Sequence, residues 1–174
     1  MPAATCDGQH AVPTAGPPCW NRTAAALLQD MAEVPEPRRN MLRYVFADPR
    51  ARTFYVEWEE VARHGLAQLR TAMGRDPGDP RIKAMIDELS QCSPHFRTLW
   101  ERQDVKGPGI GRKEYHHPAV GRLTLDYIGM VLPGTQDHQF ITLTAPEDSP
   151  SHTALEKLAT LAPPPITHPA PTPT

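Results

Sequence analysis

Apolar residues recur at two different periods along this chain, and the change from one to the other falls near residue 110. Before it the spacing is helical. Phe54, Trp58, Val61, Ala62, Gly65, Leu66, Leu69 and Met73 form one stripe at three- and four-residue intervals, with Glu59 placed four residues before Arg63 on the charged side. This predicts one long helix, opened by Asp48-Pro49 and stopped at Gly74. The same device of a capping residue followed by proline recurs at Asp79-Pro80, Ser93-Pro94 and Ser149-Pro150, and suits a helix start because the first helical position needs no N–H. Helices are predicted from Pro80 to about Gln91, burying Ile82, Met85, Ile86 and Leu89, and from Pro150 to about Leu161. A short helix from Pro94 places Phe96, Leu99 and Trp100 on one side. Upstream, the alanine-rich segment after Asn21 predicts a helix with Ala25, Leu28 and Met31 on one face, ended by Pro35 and Pro37. Residues 39–47 carry too many apolar side chains for one face and predict a short buried helix.

Beyond the glycine-rich KGPGIG the period is two. Tyr115 and His117 alternate with Glu114 and His116, and Leu123, Leu125 and Tyr127 alternate with Arg122, Thr124 and Asp126. These segments predict a hairpin with Pro118 and Ala119 in its turn and Gly121 at a bulge. From Ile128 through Met130 and Leu132 the second face turns apolar too, so this end is expected to be covered on both sides. Residues 133–137 read as a turn and QFITLTA, residues 139–145, as a third strand. Six helices beside a small antiparallel sheet make an α+β domain.

Within this pattern the order SP-x-FR-x-LW, x-DV, a glycine loop, a basic residue and then H-HP-x-VG-x-L-x-L-x-Y resembles the ligand-binding domain of MmyB-like (MltR-like) transcription regulators, from about Trp20 to about Leu161. Gln103 departs from the pattern, where the family often has histidine. The resemblance implies a PAS-like sheet covered by helices, a fatty-acid-like ligand and, in relatives, a preceding Xre-type helix-turn-helix domain. The tryptophan after the helix cap corresponds to Trp100, the His-Pro pair to His117-Pro118 and the turn glycine to Gly121. All are expected to hold the hairpin and its covering helix. Phe54, Trp58, Trp100, Leu125, Tyr127 and Phe140 read as core positions, and the resemblance adds a ligand-lining role, with Arg97, Arg112 and His117 as carboxylate partners.

Composition changes the picture at the ends. Of 21 prolines, four fall in residues 1–19 and six in 163–174, so residues 1–19 and 162–174 are expected to be disordered around a domain spanning residues 20–161. Nineteen unpatterned residues stand where the resemblance implies a DNA-binding domain and two strands. The expectation is therefore a truncated sensory domain with three strands, its residues 2–19 the product of a shifted frame or a misplaced start, with a real truncation as the alternative.

Eighteen basic against 20 acidic residues give no positive field for a phosphate backbone, so no direct DNA binding is expected. No run of apolar residues approaches a membrane span, and three cysteines outside any metal spacing fit a reduced, cytoplasmic protein. His116, His117, Asp126 and His138 could suggest a metal or a base, but adjacent strand residues point to opposite faces. Neither a catalytic site, a metal nor a cofactor is expected, since no nucleophile–base motif or phosphate loop is present. Two functional readings follow: sensing of an apolar or fatty-acyl molecule, or association with a second copy or a full-length paralogue.

Overall fold

The computed structural model describes residues 4–7, 21–28, 33–35, 38–102, 110–131 and 139–161. Among them are seven helices, α1 (Arg22–Leu27), α2 (Met41–Ala47), α3 (Arg50–Phe54), α4 (Trp58–Arg75), α5 (Pro80–Cys92), α6 (Pro94–Glu101) and α7 (Pro150–Leu161), and four strands, β1 (Ala4–Asp7), β2 (Ile110–His117), β3 (Gly121–Val131) and β4 (Gln139–Thr144). The strands form one antiparallel sheet in the order β1-β4-β3-β2. This is the expected α+β class.

Side-chain chemistry sets the helix starts. Asn21 accepts from Ala24 N–H, Asn40 from Leu42 N–H, Asp79 from Arg81 N–H and Ser93 from Phe96 N–H, so each supplies an acceptor to a first-turn amide that has no helical partner. Ser149 does the same for His152 N–H at α7. One face of the sheet is closed by the helices. Leu123 and Leu125 are fully buried there with Tyr115 and Leu143, against Leu66 and Leu69 of α4, Phe96 of α6 and Leu155 of α7.

Five expectations are corrected. The long helix is two, because Tyr55 leaves helical geometry to bridge Tyr115, and Val56 N–H donates to Glu114 C=O at 3.1 Å. The β2 edge thus takes up backbone groups that a continuous helix would have used internally. Gly74 lies inside α4, which continues to Arg75, and Met73 is exposed.

Residues 4–7, expected to be without structure, pair along Phe140–Leu143, giving four strands in place of three. In α1 the buried residues are Ala24 and Leu27, not Ala25, because an alanine-rich segment offers similar surface on every side and its neighbours choose the face. Ile128 and Met130 are exposed on the outer face of β3, which no described element covers. Met31, the expected turn at 133–137 and residues 162–174 lie outside the described residues.

Candidate ligand-binding site

A cleft of about 170 Å³ lies between the first half of α4 and the hairpin of β2 and β3. Helix α4 contributes Val61, Glu60 and His64, β2 contributes Ile110 to Glu114, and Tyr127 of β3 closes one side. Tyr127 reaches over β2 because Gly111, its cross-strand partner, has no side chain. A Cβ at Gly111 would lie 2.9 Å from the tyrosine ring.

Lys113 sits on the inner face of β2, with its ammonium 4.2 Å from the centre of the Tyr127 ring. Among the described residues it makes no hydrogen bond or ion pair, so the ring face is its direct electrostatic contact. Loss of water around it pushes its pKa down to about 8, although Glu60 favours the charged form. The Tyr127 hydroxyl is shifted upward, first by burial and then by Glu60. His64 packs edge-on to the Tyr127 ring at 6.1 Å.

The cleft therefore combines one poorly solvated amine, carboxylates and an apolar wall. A larger depression of about 480 Å³ beside Tyr44 and Asn40 is more open to solvent, and two of its arginines, Arg43 and Arg50, are held by Glu88 and Asp48.

The residues expected to line a pocket do not gather in one place. Tyr127 lines the cleft. Phe54 is buried in an aromatic cluster with Tyr44, Tyr55 and Tyr115, and Leu125 is fully buried beneath the helices. Trp58 is half-buried, donates its ring N–H to Val45 C=O at 2.9 Å and lies under the guanidinium of Arg52. Trp100 stacks on Phe96 and carries Arg70 over its other face, where Arg70 also donates to the carbonyls of Leu99 and Trp100 at the end of α6. Phe140 is on the outer face of the sheet, in register with Met130.

The expected carboxylate partners are also separated. Arg97 is exposed and donates to Ser90 C=O. Arg112 borders the cleft with its backbone, but its guanidinium pairs with Asp126 at 2.8 Å. His117 accepts from Ala119 N–H through Nδ1 and donates Nε2–H to Ala26 C=O at 2.9 Å, which fixes the neutral ring. Burial lowers its pKa, and the bond to Ala26 C=O partly offsets this. Lys113, the cation in the cleft, was missed because its period-two position marked it only as a basic residue in a strand. The lowered solvation comes from α4, more than 35 residues away in sequence.

The model of one family, the MmyB-like transcription regulator ligand binding domain, matches residues 19–158. The chain belongs to this family. In the MmyB-like domain, then, the His-Pro pair of the motif is the joint between hairpin and helical layer: His117 ties the turn to α1, Pro118 begins the turn and Gly121 leaves it with φ of +78°. Comparison with curated proteins gives no match.

The strand alternation sends His117 inward and His116 outward, and no three His, Cys, Asp or Glu side chains among the described residues are grouped to hold a metal. Among the described residues, no helix is long and apolar enough to cross a membrane.

Proposed function

We propose that this MmyB-like domain senses an apolar or fatty-acyl small molecule whose polar head meets Lys113 in the cleft between α4 and the sheet. One observation carries the reading: the ammonium of a partly buried lysine, with no hydrogen-bonded partner among the described residues, faces a cleft bordered by Val61 and Tyr127. A carboxylate head would supply the missing charge-assisted hydrogen bond, and an alkyl chain would lie along the apolar wall. Lys113 replaces the anchors expected from sequence, each of which is already engaged. Occupancy would tie α4 to the β2–β3 hairpin and so alter the surface presented to the rest of a regulator. The net charge of −2 suits sensing more than attachment to DNA.

Native mass spectrometry of the purified protein, followed by titration with dodecanoate and its methyl ester, tests the reading. A co-purified lipid or acid binding that weakens at least ten-fold in Lys113→Met supports it. Equal binding of acid and ester, unaffected by Lys113→Met, removes the anchor.

A second reading, association with another copy or a paralogue, is favoured by the exposed Ile110, Ile128 and Met130 on the outer face of the sheet. A ligand-free dimer in the same spectra, lost in Ile128→Asp, would support it.

A further inference from the structure

We infer that Lys113 is a site of reversible covalent capture, its amine taking an aliphatic aldehyde as an imine inside the cleft. This shares the cleft with the sensing reading but asks for a different chemistry, so the two can fail separately.

Imine formation needs an uncharged amine, groups that can exchange protons with the reacting atoms, and room for the aldehyde's chain. The first comes from position. Lys113 is on the inner face of β2 beneath α4, where no described acceptor stabilises its charge by hydrogen bonding and the Tyr127 ring offers only its face. Its lowered pKa, about 8, agrees with that setting. At pH 7.5 such an amine is roughly one-quarter neutral, against about one-thousandth for an ordinary solvated lysine.

Proton-exchanging groups line the same space: Glu57 and Glu60 and His64 beside α4. The charged neighbours on the strands are already paired, Arg112 with Asp126 and Glu114 with Arg122, leaving Lys113 as the cleft's amine. Val61 and the Tyr127 ring border the space for the chain.

The chemistry balances without an oxidant or reductant. The Nζ lone pair forms a bond to the carbonyl carbon while the C=O π pair moves to oxygen, which takes a proton as nitrogen releases one. A further proton, delivered from the acid groups, lets the hydroxyl leave as water while the nitrogen lone pair closes the C=N bond. The immediate product is the protonated imine; returning that proton to the neighbouring groups or to solvent leaves the imine, so amine and aldehyde become imine and water, and hydrolysis reverses the sequence. In its protonated form the product remains a cation over the Tyr127 ring, so the contact that holds free Lys113 is kept.

The test uses the full chain with hexanal and cyanoborohydride at pH 7.5, and peptide mass spectrometry to read alkylation at each lysine. Lys113 should be labelled at least about ten-fold faster than the exposed Lys83 and Lys157, since its roughly 200-fold larger neutral fraction is only partly offset by the weaker nucleophilicity of a less basic amine. Its rate should also level off above about pH 8 while theirs keeps rising. Labelling of Lys113 no faster than of those two overturns the proposal, and because it is read on the unaltered protein it does not depend on a variant folding.

Dodecanoate binding measured in parallel separates the readings. Acid binding without selective labelling sinks the imine alone. Selective labelling without acid binding supports the imine and counts against the acyl ligand. Loss of both rejects the cleft for either purpose.

Discussion

Tyr55 and Tyr115 pair as an isolated antiparallel bridge, their rings 5.6 Å apart, and this contact divides one apolar helical stripe into α3 and α4. The break fixes where α4 begins, and therefore where Glu60, Val61 and His64 stand over the sheet. A single local pairing positions one wall of the candidate site.

Tyr55→Ala should be costly, because the ring is buried among Phe54, Tyr44 and Tyr115. A loss of roughly 3 to 5 kcal/mol is expected, as for other large aromatic truncations in a core. Val56→Ala, at a side chain nearly half exposed, should change stability by less than about 0.5 kcal/mol. Urea denaturation of both variants checks the pair. Similar losses would show that the backbone of this segment, and not the Tyr55 ring, holds α3 against β2.

Two glycines with open space around them should respond in opposite directions. At Gly121, φ of +78° forces any side chain into the left-handed region, so Gly121→Ala should cost roughly 1 to 2 kcal/mol. Gly74 is helical and also unobstructed, so Gly74→Ala should stabilise by a few tenths to about 1 kcal/mol. Opposite shifts in melting temperature are the expected result.

The cap of α5 should show in acid. Asp79 is buried, and its pKa is held below the usual carboxylate range, chiefly by the Arg81 side chain and then by the backbone N–H groups it accepts from. A depressed folded pKa adds stability that is present above the unfolded value, about 3.9, and is lost as pH falls through the folded one. Asp79→Ala should cost about 1 kcal/mol at pH 7. The difference from the unaltered protein should shrink below about pH 4. A constant difference from pH 7 to pH 3 would contradict this.

His117 should add a second dependence at higher pH. Burial lowers its folded pKa while Ala26 C=O partly offsets the effect, so the unfolded chain takes up the proton first. Its contribution is complete above about pH 6.5 and falls away as pH drops through the lower folded value. Denaturation curves between pH 7.5 and 5 should lose stability less steeply in His117→Gln, which has no proton to gain in that window. Parallel slopes would place the titration elsewhere.

The helix starts could be read directly because their causes are local. Asp79-Pro80, Ser93-Pro94 and Ser149-Pro150 each join an acceptor to a residue that needs no helical N–H, within two positions of sequence. The hairpin was equally plain, since Tyr115, Leu123 and Leu125 alternate with polar residues and Gly121 takes the one turn conformation a side chain would resist. The family motif drew on the same short-range regularities. By contrast, the six expected pocket residues were chosen as aromatic or apolar, a property that burial in a core and contact with a ligand share.

By itself, then, the sequence determined the α+β class, the capped helices, the inward face of the hairpin and membership of the ligand-binding family. Only the tertiary structure decided that Tyr55 would leave its helix for β2, that His117 would be spent on Ala26, and that Lys113 would face a cleft with its charge poorly solvated. The reason is physical. Caps and strand alternation depend on backbone geometry a few residues away, whereas the solvation of an amine and the choice of a hydrogen-bond partner depend on what distant segments bring beside it.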